Sequence, residues 1–330
     1  MRVCNSRRWG ACPALIVAGM AMFTACATLA QTFPSRPIRF MVPWPPGGGI
    51  DISARALQPK LAELLGQSVI IDNRPGAAGM MGTQMAARAP ADGHTILLGA
   101  AGPNAIVPLA MPKQPYEPIS SFAEVAHFAN TVYVFSVHAA SPINSIRELI
   151  AMAKAHPGKV TAGVTGTATP AHIAGEYVRV ASKVSMTTAV YKGAAAPLLG
   201  VMGGEINLSI TTISPALPQF RAGKVRLLAV TSGKRSSQAP EVPTLVESGF
   251  PGLEIVNWYG VLAPAGTPTE VIARLHREVT GAVRTPEVRD RLVAAGLELV
   301  ESTPAEYAAY RRRDLAMWAK MIKETGIRME

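Results

Sequence analysis

Two stretches of this chain carry the residue types that recognise an anion through the backbone. The first is MVPWPPGGGID, residues 41–51. Here Trp44, Pro45, Pro46, Gly47, Gly48 and Gly49 separate an apolar run from a helical pattern, with Asp51 at the head of the helix. Glycine loses more conformational freedom on folding than any other residue. Three in succession therefore imply a loop in which side chains would obstruct something. Bare N–H groups at a helix start, reinforced by the helix dipole, favour negative charge. Asp51 is of the type that caps such a helix, a reading preferred over direct ligand contact. The second stretch is GVTGTATPAHIAGEY, residues 163–177. It too follows an apolar strand and opens a helix. Thr165, Thr167 and Thr169 add hydroxyls that donate or accept, and Gly166 and Ala168 keep the loop slim. Two such loops at matching points of two lobes predict a clamp on one anion.

Catalytic constellations are poor by comparison. The first loop lacks the lysine and the spacing of a phosphate-binding P-loop, and its glycines do not fit G-x-G-x-x-G. There is no H-E-x-x-H and no G-x-S-x-G elbow. Asp51 and Asp72 sit in different loops with no spacing that relates them. His172 could serve as a base, yet no nearby serine stands in nucleophile order, so a capping or cleft-lining histidine is the preferred reading. A secreted hydrolase using His172 is the rival from another class. No catalytic residue, metal or cofactor is expected.

The elements that must position these loops alternate. Residues 38–42 read as a strand, and Ile50, Ala54, Leu57, Leu61 and Leu64 recur at helical spacing up to the C-cap residue Gly66. Pro59 predicts a kink or break in that helix. A strand at 69–71, a helix at 80–87 and a strand at 95–98 follow. Strand–helix alternation is the grammar of a mainly parallel sheet with helices on both faces. Apolar strands beginning near 132 and 258 each lead through an Ala/Pro turn into an amphipathic helix. Between them lies a second alternation: strands at 159–164, 188–191, 206–210 and 225–230, and a helix from His172. The expected architecture is α/β and two-lobed, joined by a hinge of crossing strands. Residues 31–132 with 256–330 form one discontinuous domain, and 133–255 form the other. Thr303-Pro304-Ala305-Glu306 starts a C-terminal helix, in which Trp318 is assigned to the core.

Residues 1–30 form a separate object. Arg2, Arg7 and Arg8 precede an apolar run from Ala11 to Ala25, and small residues lead to Ala30. This is the pattern of a secretory signal peptide cut after Ala30; a lipoprotein cut before Cys26 is the weaker alternative. All three cysteines, Cys4, Cys12 and Cys26, fall within that leader, so the mature chain needs no disulfide, cysteine nucleophile or zinc cluster. Loss of the three arginines lowers the formal net charge from +10 to +7. The remaining Lys and Arg residues are scattered and not interleaved with aromatic residues, which argues against nucleic acid.

The stretches RPIRFMVPWPPGGGIDISAR, DNRPGAAGMMG, ADGHTILLG, AHIAGEY, YKG, GKVRLLAVTSGKRS and EVPTLVESGFPGLEIVNWYGVLAPAGTP occur in order along the mature chain. Together they resemble the Bug family, the substrate-binding proteins of tripartite tricarboxylate transporters. The resemblance implies a type II-like periplasmic binding protein fold that closes on a small carboxylated ligand and serves membrane transporter components. A ligand-presenting sensory receptor is a variant of the same fold. It places one carboxylate between Trp44–Gly49 with Asp51 and the Thr165–Thr169 loop, with Tyr191 of YKG near the cleft. Ala168 stands where the family usually has a second glycine, and Gly200 where it usually has an aspartate. A monomer is expected.

Overall fold

The computed structural model describes residues 33–328 other than 112 and 114, together with Met1; the expected leader, its cleavage point and Cys26 lie outside these residues. Two sheets share one strand. In the first, β1 (Ile38–Val42) pairs in parallel with β2 (Val69–Asn73) and β3 (Thr95–Ala100). The shared strand, β4 (Phe122–His138), runs for 17 residues. The second sheet contains β5 (Thr161–Val164), β6 (Thr187–Val190) and β7 (Leu208–Thr212), all parallel, with β8 (Val225–Val230) antiparallel on β4. The chain then returns through β9 (Val256–Pro264), antiparallel to both β3 and β4, and ends its sheet pairing at the short β10 (Glu298–Leu299). The order is β2-β1-β3-β9-β4-β7-β5-β6.

The partners of β4 change at one point. Phe122 to Val132 pair with β9, whereas Tyr133 to His138 pair with β7 and β8. Sequence periodicity places the start of this strand near 132, ten residues late. The first half carries Glu124, His127 and Asn130, which spoil an apolar reading. Each is accommodated: Glu124 accepts from Arg311 at 2.6 Å, and His127 pairs with Asn130 at 2.8 Å beneath the Tyr307 ring.

The helix Gly49–Leu65 buries Ile50, Ala54, Leu57 and Leu61 on the first sheet, and Gly66 ends it in the left-handed conformation. Full burial of each leucine contributes about 1.5–3 kcal/mol. Pro59 does not break the helix. It lies on the exposed face, where the carbonyl that loses its donor can turn to water. The C-terminal helix Pro304–Thr325 starts with a capping box between Thr303 and Glu306, a device worth about 1 kcal/mol. It packs on β4 and also on the helix Pro170–Ala181, so it touches both halves of the molecule. Trp318 is fully buried; its Nε1 donates to Asp314 at 2.9 Å, and Asp314 also accepts from Trp258 Nε1 of β9 at 2.7 Å.

Candidate functional site

The first loop is shaped by one buried carboxylate. Gly47 adopts φ +87°, a conformation that glycine takes without penalty. Its N–H donates to Asp51 Oδ2 at 3.0 Å; Asp51 also accepts from Arg55 Nε at 2.9 Å and Asn73 Nδ2 at 3.0 Å. Asn73 Nδ2 ties in the Trp44 carbonyl as well, at 3.0 Å. Burial opposes ionisation of Asp51, but the hydrogen bonds from Arg55, Gly47 and Asn73 outweigh it and hold its pKa below the ordinary 3.8. Asp51 is therefore neither an N-cap nor a cavity residue. The N-cap is Gly48, in extended backbone and without a side-chain cap. Asp51 reaches back from the first turn and fastens the loop.

The second loop is fastened in a similar way. Thr169 is the N-cap of Pro170–Ala181; its Oγ1 accepts from His172 N at 3.3 Å and donates to the Gly166 carbonyl at 2.9 Å. His172 Nδ1 accepts from Ala168 N at 3.2 Å. Burial lowers the His172 pKa, and a neutral imidazole is the form that can accept there. Ala168 sits at φ +52° and is wholly buried, an αL position that is uncommon for a residue with a Cβ.

Between the loops lies a cleft in two connected parts. The inner part is walled by Trp44, Pro45, Gly48, Gly49 and Thr165 among the residues expected from sequence. The outer part shares Trp44, Pro45 and Thr165 and adds Gly166, Thr167 and Tyr191. Pro46, Gly47, Asp51, Ala168, Thr169 and His172 are not brought to either wall. The polar groups among them are occupied in shaping the loops.

Sequence reading missed further walls, among them Gly102, Tyr133, Ala194, Thr212, Asn257 and Tyr259. Their signal was available in part. Ala194 and Thr212 are N-caps of the helices Ala195–Met202 and Ile213–Arg221, and Thr212 occupies the same strand-to-helix position as the two glycine-rich loops. The starts of four helices thus reach one cavity, represented by Gly49, Pro170, Ala194 and Thr212. Gly48, Ala194 and Thr212 provide no side-chain cap. Each helix start carries roughly half a positive charge on its free N–H groups. Among the described residues no Lys, Arg, His, Asp or Glu lines the inner part, and Lys192 is the one charged residue lining the outer part. Burial raises the pKa of both Tyr133 and Tyr259, so both stay neutral hydroxyls near pH 7.

The two halves approach closely across this cleft. A Cβ on Gly48 would stand 3.6 Å from Ala194 Cβ, and one on Gly166 would stand 3.4 Å from Ala78 Cβ.

Two α/β lobes whose strand-to-helix loops meet around a donor-rich cleft define a solute-binding fold. The sequence matches the tripartite tricarboxylate transporter family receptor over residues 53–327, and the chain belongs to that family. It is 32% identical to the protein BugT of Bordetella pertussis over 96% of this chain and 98% of that one. Among solved structures it resembles Rpa4515 of R. palustris with adipate, at a TM-score of 0.86 and 32% identity, covering 90% of this chain and 99% of that one. It also resembles MatC of Rhodopseudomonas palustris with bound malate, at a TM-score of 0.83 and 27% identity, covering 88% and 100%. Among the described residues no helix is long and apolar enough to cross a membrane.

Proposed function

We propose that this protein is a periplasmic, non-enzymatic receptor that closes on a small carboxylate and delivers it to the membrane components of a tripartite-type transporter. The observation that carries the reading is the convergence of four helix starts on a cavity free of charged side chains. Such a site attracts an anion by oriented N–H groups and dipoles. The relatives solved with adipate and malate support the choice of carboxylate over other anions. The residues assigned to the ligand are Trp44, Pro45, Gly48, Gly49 and Thr165, with Gly166, Thr167 and Tyr191 at the outer end. His172 is no base in this reading, because its Nδ1 is engaged with Ala168 N and its ring does not line the cleft.

Closure rests on the division into 31–132 with 256–330 and 133–255, with the hinge where β4 changes partners. The close approach of Gly48 to Ala194 corresponds to the closed form. Only in that form can both loops hold one anion, so ligand shifts the equilibrium toward it. Thermal unfolding of the protein against mono-, di- and tricarboxylates tests the reading. Stabilisation by at least one carboxylate, without its consumption, is the expected result. A protein stabilised only by neutral sugars or cations would overturn it.

A further inference from the structure

Thr212 Oγ1 and Ser214 Oγ are buried and without a hydrogen-bond partner. Thr212 is 5% exposed and Ser214 3% exposed. Both face the same glycine. A Cβ placed on Gly49 would lie 2.9 Å from Ser214 Oγ, 2.9 Å from Tyr259 Oη and 3.3 Å from Thr212 Oγ1. Gly49, Thr212 and Tyr259 all line the inner cavity. Three polar oxygens from two lobes are therefore gathered around the first residue of the helix that receives the carboxylate. A buried hydroxyl left unpaired costs the desolvation of that group, and a hydroxyl can both donate and accept.

We propose that Thr212, assisted by Ser214 and Tyr259, is a specificity-determining subsite for an uncharged oxygen substituent, hydroxyl or oxo, borne next to the ligand's carboxylate. The inference rests on the carboxylate reading above and refines its substrate class to 2-hydroxy and 2-oxo acids. The alternatives fail on charge. A second carboxylate at this depth would set like charge beside the one already held at the helix starts, and among the described residues no cationic side chain lines the inner cavity to offset it. An ammonium group would face the positive ends of the helices, and Asp51, the nearest carboxylate along the chain, is engaged with Gly47, Arg55 and Asn73 instead. An unsubstituted chain would leave Thr212 Oγ1 unpaired. A hydroxyl or oxo group satisfies it without adding charge.

Titration calorimetry with two matched sets of probes tests this: lactate, pyruvate, propionate and alanine, and malate, oxaloacetate, succinate and aspartate. Within at least one set the hydroxy or the oxo acid is expected to bind about tenfold or more tighter than the unsubstituted and the amino acid, the loss associated with one hydrogen bond to a polar substituent. Thr212→Val should abolish that preference, the preferred acid losing at least about fivefold more affinity than propionate or succinate, since valine preserves shape and removes only the hydroxyl. Thr212→Ser should keep the preference. Without ligand, Thr212→Val should unfold at or above the wild-type temperature, because an unpaired hydroxyl is replaced by a methyl; a purely structural threonine would give a lower one. Equal affinities within each set, a preference for the amino acid, or equal loss of substituted and unsubstituted acids in Thr212→Val would overturn the proposal while leaving the carboxylate receptor standing. Failure of every acid to bind would remove both.

Discussion

Gly49→Ala puts the interlobe contact to a direct test. Gly49 is the first residue of its helix, and its φ is not in the left-handed region. Alanine therefore adds no backbone strain there and is the better helix former. The cost is steric. The new Cβ would stand 2.9 Å from both Ser214 Oγ and Tyr259 Oη and 3.3 Å from Thr212 Oγ1, where ordinary carbon contacts lie near 3.5–4 Å. Ser214 and Tyr259 are both buried, so neither oxygen can swing freely aside. Overpacking of this kind costs about 1–3 kcal/mol. Tyr259 belongs to β9, in the same sheet as β1, so its share falls on the ligand-free fold. Ser214 belongs to the helix Ile213–Arg221 behind β7, so its share falls on closure. A closure penalty of that size weakens binding by roughly 5- to 150-fold.

The two shares separate in a double-mutant cycle with Ser214→Ala. Calorimetry on a bound carboxylate should show Gly49→Ala weakened and Gly49→Ala/Ser214→Ala largely recovered, while the melting temperature of the ligand-free double variant keeps the Tyr259 share. Gly48→Ala is the comparison in the same loop: its Cβ would meet Ala194 at an ordinary 3.6 Å, so any loss of affinity there reports crowding of the ligand and should not be recovered by Ser214→Ala. Unchanged binding by Gly49→Ala would show that the bound state does not bring Ser214 onto this helix. The closure argument would then fail.

Asp51→Asn should cost about 1–3 kcal/mol of stability at neutral pH by weakening the loop anchor. Because the folded pKa is depressed, this stabilisation is present above the ordinary 3.8 and is lost as pH falls through the folded value; the wild-type advantage in urea midpoint should therefore shrink in acid. Asp314 runs the other way. Burial, only partly offset by Trp258, Trp318 and Arg311, raises its pKa to about 7. Its contribution is full below 3.8 and is lost as pH rises through about 7, so wild type should lose more stability than Asp314→Asn between pH 5 and pH 8. Small-angle scattering should show the radius of gyration falling as a carboxylate saturates the protein; a constant value at saturation would refute the clamshell.

Much of the fold was legible because local patterns and the tertiary structure agree. The helix at 80–87, the strands at 38–42 and 225–230 and the cap at Gly66 follow from apolar periodicity and turn chemistry alone. Agreement broke where tertiary partners override local character. The first half of β4 is polar in sequence yet sheet in structure, because from the distant C-terminal helix Arg311 donates to Glu124 and Tyr307 stacks on His127. Pro59 departs from expectation for the opposite reason: a helix already fixed by a buried face that includes Ile50, Ala54, Leu57, Leu61 and Leu65 tolerates one missing donor on its wet face.

The cleft was half legible, and the missing half follows from the chemistry of the site. Glycine-rich loops advertise themselves in sequence. Thr212, Ser214, Asn257 and Tyr259 do not, because they are ordinary uncharged residues distant from both loops along the chain. A site that binds through lysine or arginine leaves conspicuous charges; one that binds through helix starts leaves only positions. Those positions share one rule, the carboxyl end of a strand where a helix begins, where open α/β sheets take their ligands. Applied to every strand, that rule reaches Thr212 at the end of β7 as surely as Thr165 beyond β5. It also accounts for Asp51, expected to cap its helix in preference to touching ligand. An acid so near an anion site is tolerable only when its charge is offset, and Gly47, Arg55 and Asn73 do that. Its charge is absorbed in holding the glycines open, which leaves the anion to the backbone.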